Sequence, residues 1–289
     1  MRIISKSIDF SAQDELLQDI APLNDFLLLD IETTGLNPKS EKIIELGAAR
    51  IREGKVVDTF SAFVNPGRSL SERIVELTGI SDRDVENAPY IEEIIQDFVD
   101  FTGDDVLLGH NLSFDYSFVK KAAVNNKLSF EKDGIDTLRI ARRFLAQLES
   151  RRLGFLCEHY QIELEAHRAL NDALATHRLY QKLCAEFINS KTVLANEKEK
   201  NIFEPGKMIY SVKKESPITQ KQFEHILRLA DRYRLGLTQE KDTLTESVRV
   251  FLEPVEGVNS ERIDVAHISK NEASRIIDKI LSLFAARIS

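Results

Sequence analysis

The feature that most constrains the fold is a continuous apolar run, FLLLDI, at residues 26–31. An unbroken run of this length predicts a strand buried on both faces, and hence a sheet with helices packed on either side. Two more strand patterns follow, Ile43–Ile51 and Val56–Val64, and Gly54 in the polar break between them predicts a hairpin turn. The chain is therefore expected to begin its sheet with three antiparallel strands.

After this meander the pattern alternates between helices and strands. A capping box from Ser81 to Asp84, flanked by Ile80 and Val85, predicts a helix start. The other predicted elements are helices at 91–101, from Phe114 and from Thr137 to near Asn189, and short strands at 106–108 and at Ile135. Strands followed by alternating helices and strands predict an α/β fold with a mixed central sheet flanked by helices.

Changes in patterning divide the chain into four parts. A capping box at Ser11 predicts a leader helix within residues 1–23, and residues 24–189 are expected to form the main domain. Charges cluster and periodicity weakens at 190–207, which predicts a linker. Residues 208–289 are predicted to be a small, mainly helical C-terminal module, because Thr219 and Ser269 begin two more capping boxes.

Composition excludes several classes of protein. Hydrophobic residues make up 43% and charged residues 30% of the chain, which is typical of a globular protein. No apolar stretch approaches the roughly 18 residues of a membrane span, and the N-terminus lacks the apolar core of a signal peptide. Cys157 and Cys184 show no metal-ligand spacing, which favours reduced, buried thiols in a cytoplasmic protein without a membrane partner.

The net charge of −8 argues against binding to long nucleic-acid tracts through many phosphate contacts. An enzyme that holds only a strand end through metal ions remains compatible with it. The charge is uneven, because residues 200–289 contain 15 Lys and Arg against 13 Asp and Glu. The excess of negative charge therefore lies in the first two-thirds of the chain.

Two carboxylates end the first predicted strand. Asp30 and Glu32 are two residues apart, so on a strand both side chains point to the same face. Like charges at the end of an apolar strand are costly unless a cation binds them. Taken alone, the pair is equally well explained as a solvated strand end.

Three more candidate site residues follow at later helix starts. Asp115 is predicted near the start of a helix that follows a buried strand, and Asp172 lies five residues after His167 near another helix start. Singly, each has a structural alternative: an acid favoured by a helix dipole, or a structural histidine. Together, four carboxylates and one imidazole suit two hard divalent ions and a base that takes a proton from water.

The sequence resembles the DEDD superfamily of 3′-to-5′ exonucleases, in the histidine-containing, DnaQ-like subgroup typified by the proofreading epsilon subunit of bacterial DNA polymerase III. The resemblance covers about residues 24–186. It rests on five segments: DIETTGL (30–36), LTGISD (77–82), GHNLSFDYSFV (109–119), IDTLRIAR (135–142) and HRALNDA (167–173).

This resemblance implies a ribonuclease-H-like fold and the release of nucleoside monophosphates from 3′ ends. It implies that two Mg²⁺ or Mn²⁺ ions are held by Asp30, Glu32, Asp115 and Asp172, with Asp30 bridging both, and that His167 is the general base. It also implies that the terminal nucleotide is bound by Thr33, Thr34, Gly35 and Leu36. Asp136 is expected to have a structural role.

The expected substrate is the 3′ end of DNA, single-stranded, with a proofreading or repair role and a DNA polymerase or other replication or repair protein as partner. An exoribonuclease and a non-catalytic nucleic-acid or polymerase-binding protein are the alternatives. The arginines at 139, 142, 143, 151 and 152 form either a solvated helix face or a rim for phosphates. The C-terminal module is equally compatible with strand binding, partner docking, dimerisation or a structural appendage.

Overall fold

The structure is a computed structural model that describes residues 20–165, 167–241, 248–254 and 262–285. The predicted leader helix lies outside the described residues, apart from residues 20–23, which are irregular. Ile20 and Leu23 nevertheless pack against the main core. The backbone N–H of Ile20 donates to Oδ1 of Asn189 at 2.9 Å, and that of Leu23 donates to the hydroxyl of Tyr180 at 3.1 Å.

A six-stranded mixed sheet forms the centre of the molecule, in the order β3-β2-β1-β4-β5-β6. Strands β1, β2 and β3 are antiparallel, β4 and β5 are parallel to β1, and β6 is antiparallel to β5. Their bounds are β1 Phe26–Thr33, β2 Ile43–Arg52, β3 Lys55–Phe63, β4 Leu107–Gly109, β5 Asp133–Asp136 and β6 Gly206–Lys207. The predicted meander is confirmed, and its hairpin turn uses Glu53 and Gly54, both with positive φ.

Helices cover both faces of the sheet, as the apolar run predicted. They are α1 Glu72–Thr78, α2 Asp82–Val85, α3 Ile91–Thr102, α4 Leu112–Asn125, α5 Thr137–Phe144, α6 Leu153–His159, α7 Ala169–Leu183, α8 Lys191–Leu194 and α9 Glu197–Lys200. A π-helical turn, Cys184–Ile188, extends α7. Helix α4 begins at Leu112, two residues before the predicted start at Phe114, and Asn111 before it has the left-handed conformation.

Alternate residues of β1 feed two separate cores. Phe26 and Leu28 pack with α5, α6 and α7, whereas Leu27, Leu29 and Ile31 pack with α3 and α4 on the opposite face. Leu27, Leu28 and Leu29 are all 0% exposed. The position of β1 is therefore fixed from both faces and by hydrogen-bonded neighbours on both edges.

Residues 190–207 differ from the predicted linker. They contain α8, α9 and β6, and Val193 and Phe203 are buried in the same core as α7. Glu199 is also buried, where it accepts two hydrogen bonds from Nε of Arg143 at 2.7 and 2.8 Å. Most of the charged residues in this segment lie on its outer side. They outnumber its few buried apolar residues, and for that reason the sequence pattern predicted a linker.

The C-terminal part has its own core and is mainly helical, with a small sheet that the sequence did not predict. Helices α10 (Gln220–Tyr233) and α11 (Lys270–Ala285) pack with a three-stranded antiparallel sheet, β7 (Leu237–Lys241), β8 (Val248–Leu252) and β9 (Ile263–Asp264). The capping box that opens α10 is confirmed. The strands were missed because β7, LTQEK, is polar and mostly exposed, so it lacks an apolar run.

Backbone hydrogen bonds join the C-terminal part to the main sheet domain. The N–H of Asp264 donates to the carbonyl of Gly67 at 2.6 Å, and the N–H of Ser69 donates to the carbonyl of Arg262 at 2.9 Å. The rings of Tyr90 and His267 stack at 3.7 Å. These contacts place β9 against residues 67–69 of the main domain.

Two composition-based expectations concern cysteines and membranes. Cys157 and Cys184 are both free and buried, and burial raises the pKa of each thiol to about 11. Within the described ranges, no helix combines the length and the apolar character needed to cross a membrane.

Candidate active site

Asp30 and Glu32 lie at the C-terminal end of β1, on the face of the sheet covered by α7. Across the β1–β2 ladder, Gly47 is the register partner of Asp30 and Glu45 is that of Glu32. Paired strand residues point to the same side of a sheet, so all four positions face the start of α7. The backbone therefore confirms the prediction that Asp30 and Glu32 point to the same face of the sheet.

The two carboxylates carry the signs of a crowded, desolvated acidic site. Burial raises the pKa of Asp30 well above its usual value, and the negative charges of Asp115 and Asp172 raise it further. Burial is also the main cause that raises the pKa of Glu32 to about 7, followed by repulsion from Asp172 and Glu45. Acidic groups with mutually raised pKa values mark a place where bound positive charge lowers the energy of the site.

Asp115 reaches the same strand end from the opposite side of the sheet. It lies in the first turn of α4, is 3% exposed, and its Oδ1 accepts a hydrogen bond from the N–H of Ile31 at 3.2 Å. Burial raises the pKa of Asp115 well above its usual value, although its backbone hydrogen bonds partly offset this. Because Ile31 lies between Asp30 and Glu32 in the chain, this hydrogen bond holds the carboxyl of Asp115 close to both of them.

Asp172 and His167 complete the group from α7 and the loop before it. Oδ2 of Asp172 accepts a hydrogen bond from the backbone N–H of His167 at 3.2 Å. His167 is exposed and has a φ of 69°, in the left-handed region that a non-glycine residue seldom adopts. Burial raises the pKa of Asp172, and its contacts with His167 partly offset that effect.

The start of α7 can approach the sheet so closely because residue 47 is glycine. A Cβ at Gly47 would lie 2.3 Å from the backbone nitrogen of Leu170 and 2.4 Å from the carbonyl carbon of Ala169. Any side chain here would push the first turn of α7, which carries Asp172, away from β1. Gly47 is therefore a positioning residue that sequence reasoning missed.

Glu45 fixes the same helix start by hydrogen bonds. It is 1% exposed, and its Oε2 accepts from the N–H of Ala169 at 3.2 Å, while Oε1 accepts from Nε and Nη2 of Arg168 at 3.1 and 3.0 Å. An acid at a helix N-terminus also interacts favourably with the helix dipole. Because His167 directly precedes Arg168, Glu45 holds the backbone beside the exposed imidazole.

Both positioning residues leave a signal in the sequence. The stretch IIELGAA (residues 43–49) is apolar except for its acid and its glycine, and both are unfavourable in a buried strand interior. Such a pair indicates a backbone that approaches closely and a buried polar contact. What it approaches, the start of α7, lies more than 120 residues away in sequence and cannot be read from local pattern.

The segment expected to bind the terminal nucleotide, Thr33–Leu36, turns directly after β1. Oγ1 of Thr34 donates to Glu41 at 2.7 Å and accepts from Nη2 of Arg68 at 2.6 Å. Oγ1 of Thr33 donates to the carbonyl of Gly35 at 2.8 Å. Leu36 is 82% exposed, so its side chain presents an apolar surface at this turn.

The donors at this strand end fit divalent cations. One ligand atom each from Glu32, His167 and Asp172 lies within 4.8 Å of the others. Oδ1 of Asp172 is buried and accepts no hydrogen bond from the described residues, so this oxygen is available to bind a cation. Carboxylate oxygens of this kind are the ligands preferred by hard divalent ions.

Two other groups singled out in the sequence lie outside this cluster. Asp136 caps α5 by accepting from the N–H of Leu138 and also accepts from the N–H of Asn111, both at 2.9 Å. In the predicted arginine group, Arg143 is paired with the buried Glu199, so its guanidinium serves the packing of α9. Asp136 thus has the structural contacts that were expected of it.

Two solved exonuclease structures share the fold of this chain. The nuclease domain of 3′hExo, described as a DEDDh family member bound to rAMP, is 20% identical over 60% of this chain and 98% of that one, with a TM-score of 0.50. Exonuclease I is 19% identical over 80% of this chain and 52% of that one, with a TM-score of 0.52. At these identities the likeness establishes the fold, which is the ribonuclease-H-like α/β fold expected from the sequence.

The model of the exonuclease family RNase_T matches residues 27–180, which is more than half of the chain. The chain belongs to this family, and the expected membership of the DnaQ-like exonucleases is confirmed. Divalent metal ions are a property of such exonucleases, and the donors described above fit them.

Curated relatives place this family segment within much longer proteins. The DNA polymerase III PolC-type of Oceanobacillus iheyensis is 39% identical over 180 residues, and that of Caldanaerobacter subterraneus subsp. tengcongensis is 41% identical over 160 residues. The matches cover 61% and 55% of this chain. The chain spans only 12% and 11% of the length of these relatives, so most of each relative has no counterpart here.

Proposed function

We propose that this chain is a metal-dependent 3′-to-5′ exonuclease that removes nucleoside monophosphates from the 3′ ends of single-stranded DNA. One observation carries the proposal. Four carboxylates and a histidine from three distant segments meet at the end of β1 in a chain of the exonuclease family. DNA is preferred as substrate because curated relatives that match this segment are named DNA polymerase III PolC-type.

Asp30, Glu32, Asp115 and Asp172 would hold the ions, which we propose to be two Mg²⁺ or Mn²⁺. When bound, such ions stabilise negative charge on the attacking and leaving oxygens of a phosphoryl displacement. The raised pKa values of the carboxylates support this assignment, because neighbouring positive charge lowers those pKa values and removes the repulsion.

His167 would act as the general base. Its exposed imidazole lies beside Glu32 and Asp172 and can accept a proton from the attacking water, while the backbone hydrogen bond to Asp172 holds its position. The water oxygen forms a new bond to phosphorus as the bond to the 3′ oxygen breaks. The released 3′ oxygen then takes up a proton from solvent.

Thr33, Thr34, Gly35 and Leu36 would bind the terminal nucleotide. The exposed side chain of Leu36 offers an apolar surface to a base or sugar, and the hydrogen bonds of Thr34 hold the turn in place. The backbone N–H of Thr34 already donates to the carbonyl of Lys42 at 2.9 Å. Backbone donors to the nucleotide would therefore come from the other residues of this turn.

We further propose a proofreading or repair role beside a DNA polymerase. The support is that the similar segment of each relative lies within a protein named as a DNA polymerase. A proofreading exonuclease should remove a mismatched 3′ nucleotide from a primer faster than a matched one, because a frayed end enters a single-strand site more easily. Equal rates on the two primers would contradict this role.

The decisive experiment compares matched 20-nucleotide DNA and RNA strands, single-stranded and duplex, labelled at the 5′ or the 3′ end. With Mg²⁺ or Mn²⁺, the 5′-labelled single-stranded DNA should give a ladder that shortens from the 3′ end, and the 3′ label should appear as mononucleotide. A chelator should stop both reactions. The Asp58→Asn variant, which changes an exposed carboxylate on β3, is the matched control and should behave like the parent.

Each other outcome has a definite meaning. Faster degradation of RNA than of DNA would identify an exoribonuclease and overturn the assigned substrate. Internal cleavage, or hydrolysis that survives the chelator, would overturn the mechanism. Binding without hydrolysis at any metal concentration would indicate the non-catalytic alternative.

A further inference from the structure

A second charged feature lies beside the candidate active site, where the C-terminal part meets the main domain. It is a cleft of about 390 Å³ between the turn that follows β1 and helix α11. Lys42 and Arg68 line it from the main domain, and Arg275 and Lys279 line it from α11. Glu272 is the single acidic residue in its lining.

The cleft is positive although the chain has a net charge of −8. Glu272 is paired with Lys42, with Nζ 3.4 Å from Oε2, and Arg68 is paired with Glu41. In the parts of the chain that the structure describes, Arg275 and Lys279 have no acidic partner. Two cationic side chains therefore remain to neutralise a ligand from outside the chain.

Helix geometry places these two cations on one face of α11. Glu272, Arg275 and Lys279 are spaced three and four residues apart, so they share the face that lines the cleft. Arg275 and Lys279 are separated by about 6 Å along the helix axis, at 1.5 Å per residue. A row of two cations along a groove suits successive charges on one chain-like anion better than a single small ion.

The cleft is continuous with the turn assigned to the terminal nucleotide. Arg68, which lines the cleft, donates directly to Oγ1 of Thr34 in that turn. Thr34 is two residues from Glu32, which is at most about 7 Å along the chain. The backbone bonds from Asp264 and Arg262 to residues 67–69 hold the C-terminal part beside Arg68.

We propose that this cleft binds the phosphates of the DNA strand that leads to the active site, and that Arg275 and Lys279 of α11 supply the contacts. The C-terminal part then extends the substrate site. This inference rests on the proposed function, because it takes the turn at Thr33–Leu36 as the position of the 3′ nucleotide. Phosphate contacts of this kind hold and orient a strand without reading its sequence.

The test is the double variant Arg275→Gln/Lys279→Gln, measured with a 5′-fluorescein oligo(dT) of 15 nucleotides in chelator, where no hydrolysis occurs. Each lost phosphate contact should reduce the salt dependence of binding, so the slope of log K against log salt should fall by about 1.4 for two contacts on single-stranded DNA. The affinity should fall most at low salt, and raising the salt from 50 to 200 mM should narrow the difference from the parent about sevenfold.

The matched control is Lys221→Gln/Arg228→Gln on α10. It removes the same charge from the same part of the chain, at exposed residues that do not line the cleft. Binding and salt slope should be those of the parent. An equal loss of affinity in this control would show that total charge, not the cleft, governs binding, and would overturn the proposal.

Activity adds a readout that depends on substrate length. With metal present, the ratio of kcat/KM for the 15-mer to that for a dinucleotide should fall roughly tenfold in the Arg275→Gln/Lys279→Gln variant, since two contacts outside the active site are lost. An unchanged ratio together with unchanged binding would overturn the cleft assignment. If the parent hydrolyses neither substrate, the proposed function fails, whereas the binding measurement still decides whether the cleft holds a strand.

The unfolding temperature tests whether the double variant is folded. It should equal that of the parent, because Arg275 is exposed and Lys279 is partly exposed. Should the double variant fail to fold, the single variant Arg275→Gln replaces it with half the expected change in slope. Tight binding of inorganic phosphate with no preference for the 15-mer would identify a small-anion site and would also overturn the proposal.

Discussion

The two sides of the candidate active site are held by different kinds of contact. The strand-side carboxylates are Asp30, Glu32 and Asp115. Asp30 and Glu32 belong to β1, which is buried on both faces and hydrogen-bonded on both edges, and Asp115 of α4 accepts a hydrogen bond from β1. The α7-side residues, His167 and Asp172, depend on how the start of one helix docks on the sheet. The chemistry of the first side is fixed by strand register, and that of the second by a long-range packing contact.

This difference indicates how each side should respond to substitution. A change in a strand-side carboxylate should remove chemistry and leave the fold intact, because its charge opposes folding. A change beneath α7 should damage chemistry and stability together, because it moves a whole helix start. The expected effects below run from the largest to the smallest.

Asp30→Asn should cause the largest loss of activity. It removes the most crowded carboxylate, and losing several kcal/mol of metal-dependent charge stabilisation corresponds to a fall in kcat of about 10⁴-fold. The unfolding temperature should not fall, because burial and four neighbouring carboxylates disfavour the charged form of Asp30. Single-turnover hydrolysis and thermal unfolding would measure the two quantities.

The control for Asp30→Asn is again Asp58→Asn, which should retain the parental hydrolysis rate and the parental unfolding temperature. Residual activity above a tenth of the parent in Asp30→Asn would remove Asp30 from the metal site. A large drop in unfolding temperature would show that the carboxylate stabilises the fold, which would break the contrast between the two sides.

His167→Ala should lower kcat by about 10³-fold, within the usual range for loss of a general base. Because the side chain is exposed, stability should be nearly unchanged. Manganese affinity, measured by calorimetry, separates two roles for the imidazole: it should be unchanged for a base and reduced for a metal ligand. His159→Ala, another exposed histidine at the end of α6, is the control and should leave kcat unaltered.

Gly47→Ala should reduce kcat by about 10²-fold, because a displacement of about 1 Å in a catalytic group has an effect of that size. Its Cβ would clash with backbone atoms of Ala169 and Leu170, so the start of α7 must move. Overpacking of this kind should also lower the free energy of unfolding by about 1–3 kcal/mol. Urea unfolding and steady-state hydrolysis would measure both effects.

Gly154→Ala is the matched control for Gly47→Ala, because a Cβ at Gly154 meets nothing within 4 Å. It should leave activity and stability at parental values. Parental activity in Gly47→Ala would mean that α7 tolerates the shift, and the strand-side and α7-side residues would then be equally robust.

The same contrast explains what the sequence could predict. The strand FLLLDI, the meander and the pair Asp30 and Glu32 depend on local periodicity, and the structure has them where the pattern put them. Asp115, Asp172 and His167 were grouped with them by donor chemistry and by the family resemblance, because no local signal shows that the starts of α4 and α7 converge on β1. Their roles remain proposals.

Other features escaped the sequence because they depend on tertiary contacts. Residues 190–207 read as a linker, since the contacts of Val193, Phe203 and Glu199 are with distant parts of the main domain. The strand β7 is too polar for its period to be recognised, and it forms through pairing with β8. Likewise, the cleft lined by Lys42 and Arg275 combines residues more than 200 positions apart.

The smallest effect concerns the charges of the strand-side carboxylates, including their repulsion by Asp172, and requires metal-free protein. A carboxyl whose pKa is raised in the folded state stabilises the fold fully below its unfolded pKa, and this stability is lost as the pH rises through the folded pKa. For Glu32 the window runs from its usual pKa of 4.5 to about 7. In chelator, the free energy of unfolding should therefore fall between pH 5 and pH 8, by on the order of 1–2 kcal/mol because the site is partly exposed.

Asp30→Asn should flatten this fall, since it removes one of the repelling charges, whereas Asp58→Asn should retain it. Added Mn²⁺ should restore most of the lost stability at pH 8 and much less at pH 5, because an ion that binds only the folded, ionised site stabilises it by mass action. Urea unfolding at pH 5 and pH 8, with and without Mn²⁺, measures the fall in the free energy of unfolding and its recovery. The contrary result is a metal-free protein that is more stable at pH 8 than at pH 5, with the same rise in Asp30→Asn. It would mean that the carboxylates do not repel one another. The electrostatic distinction between the strand side and the α7 side would then be lost.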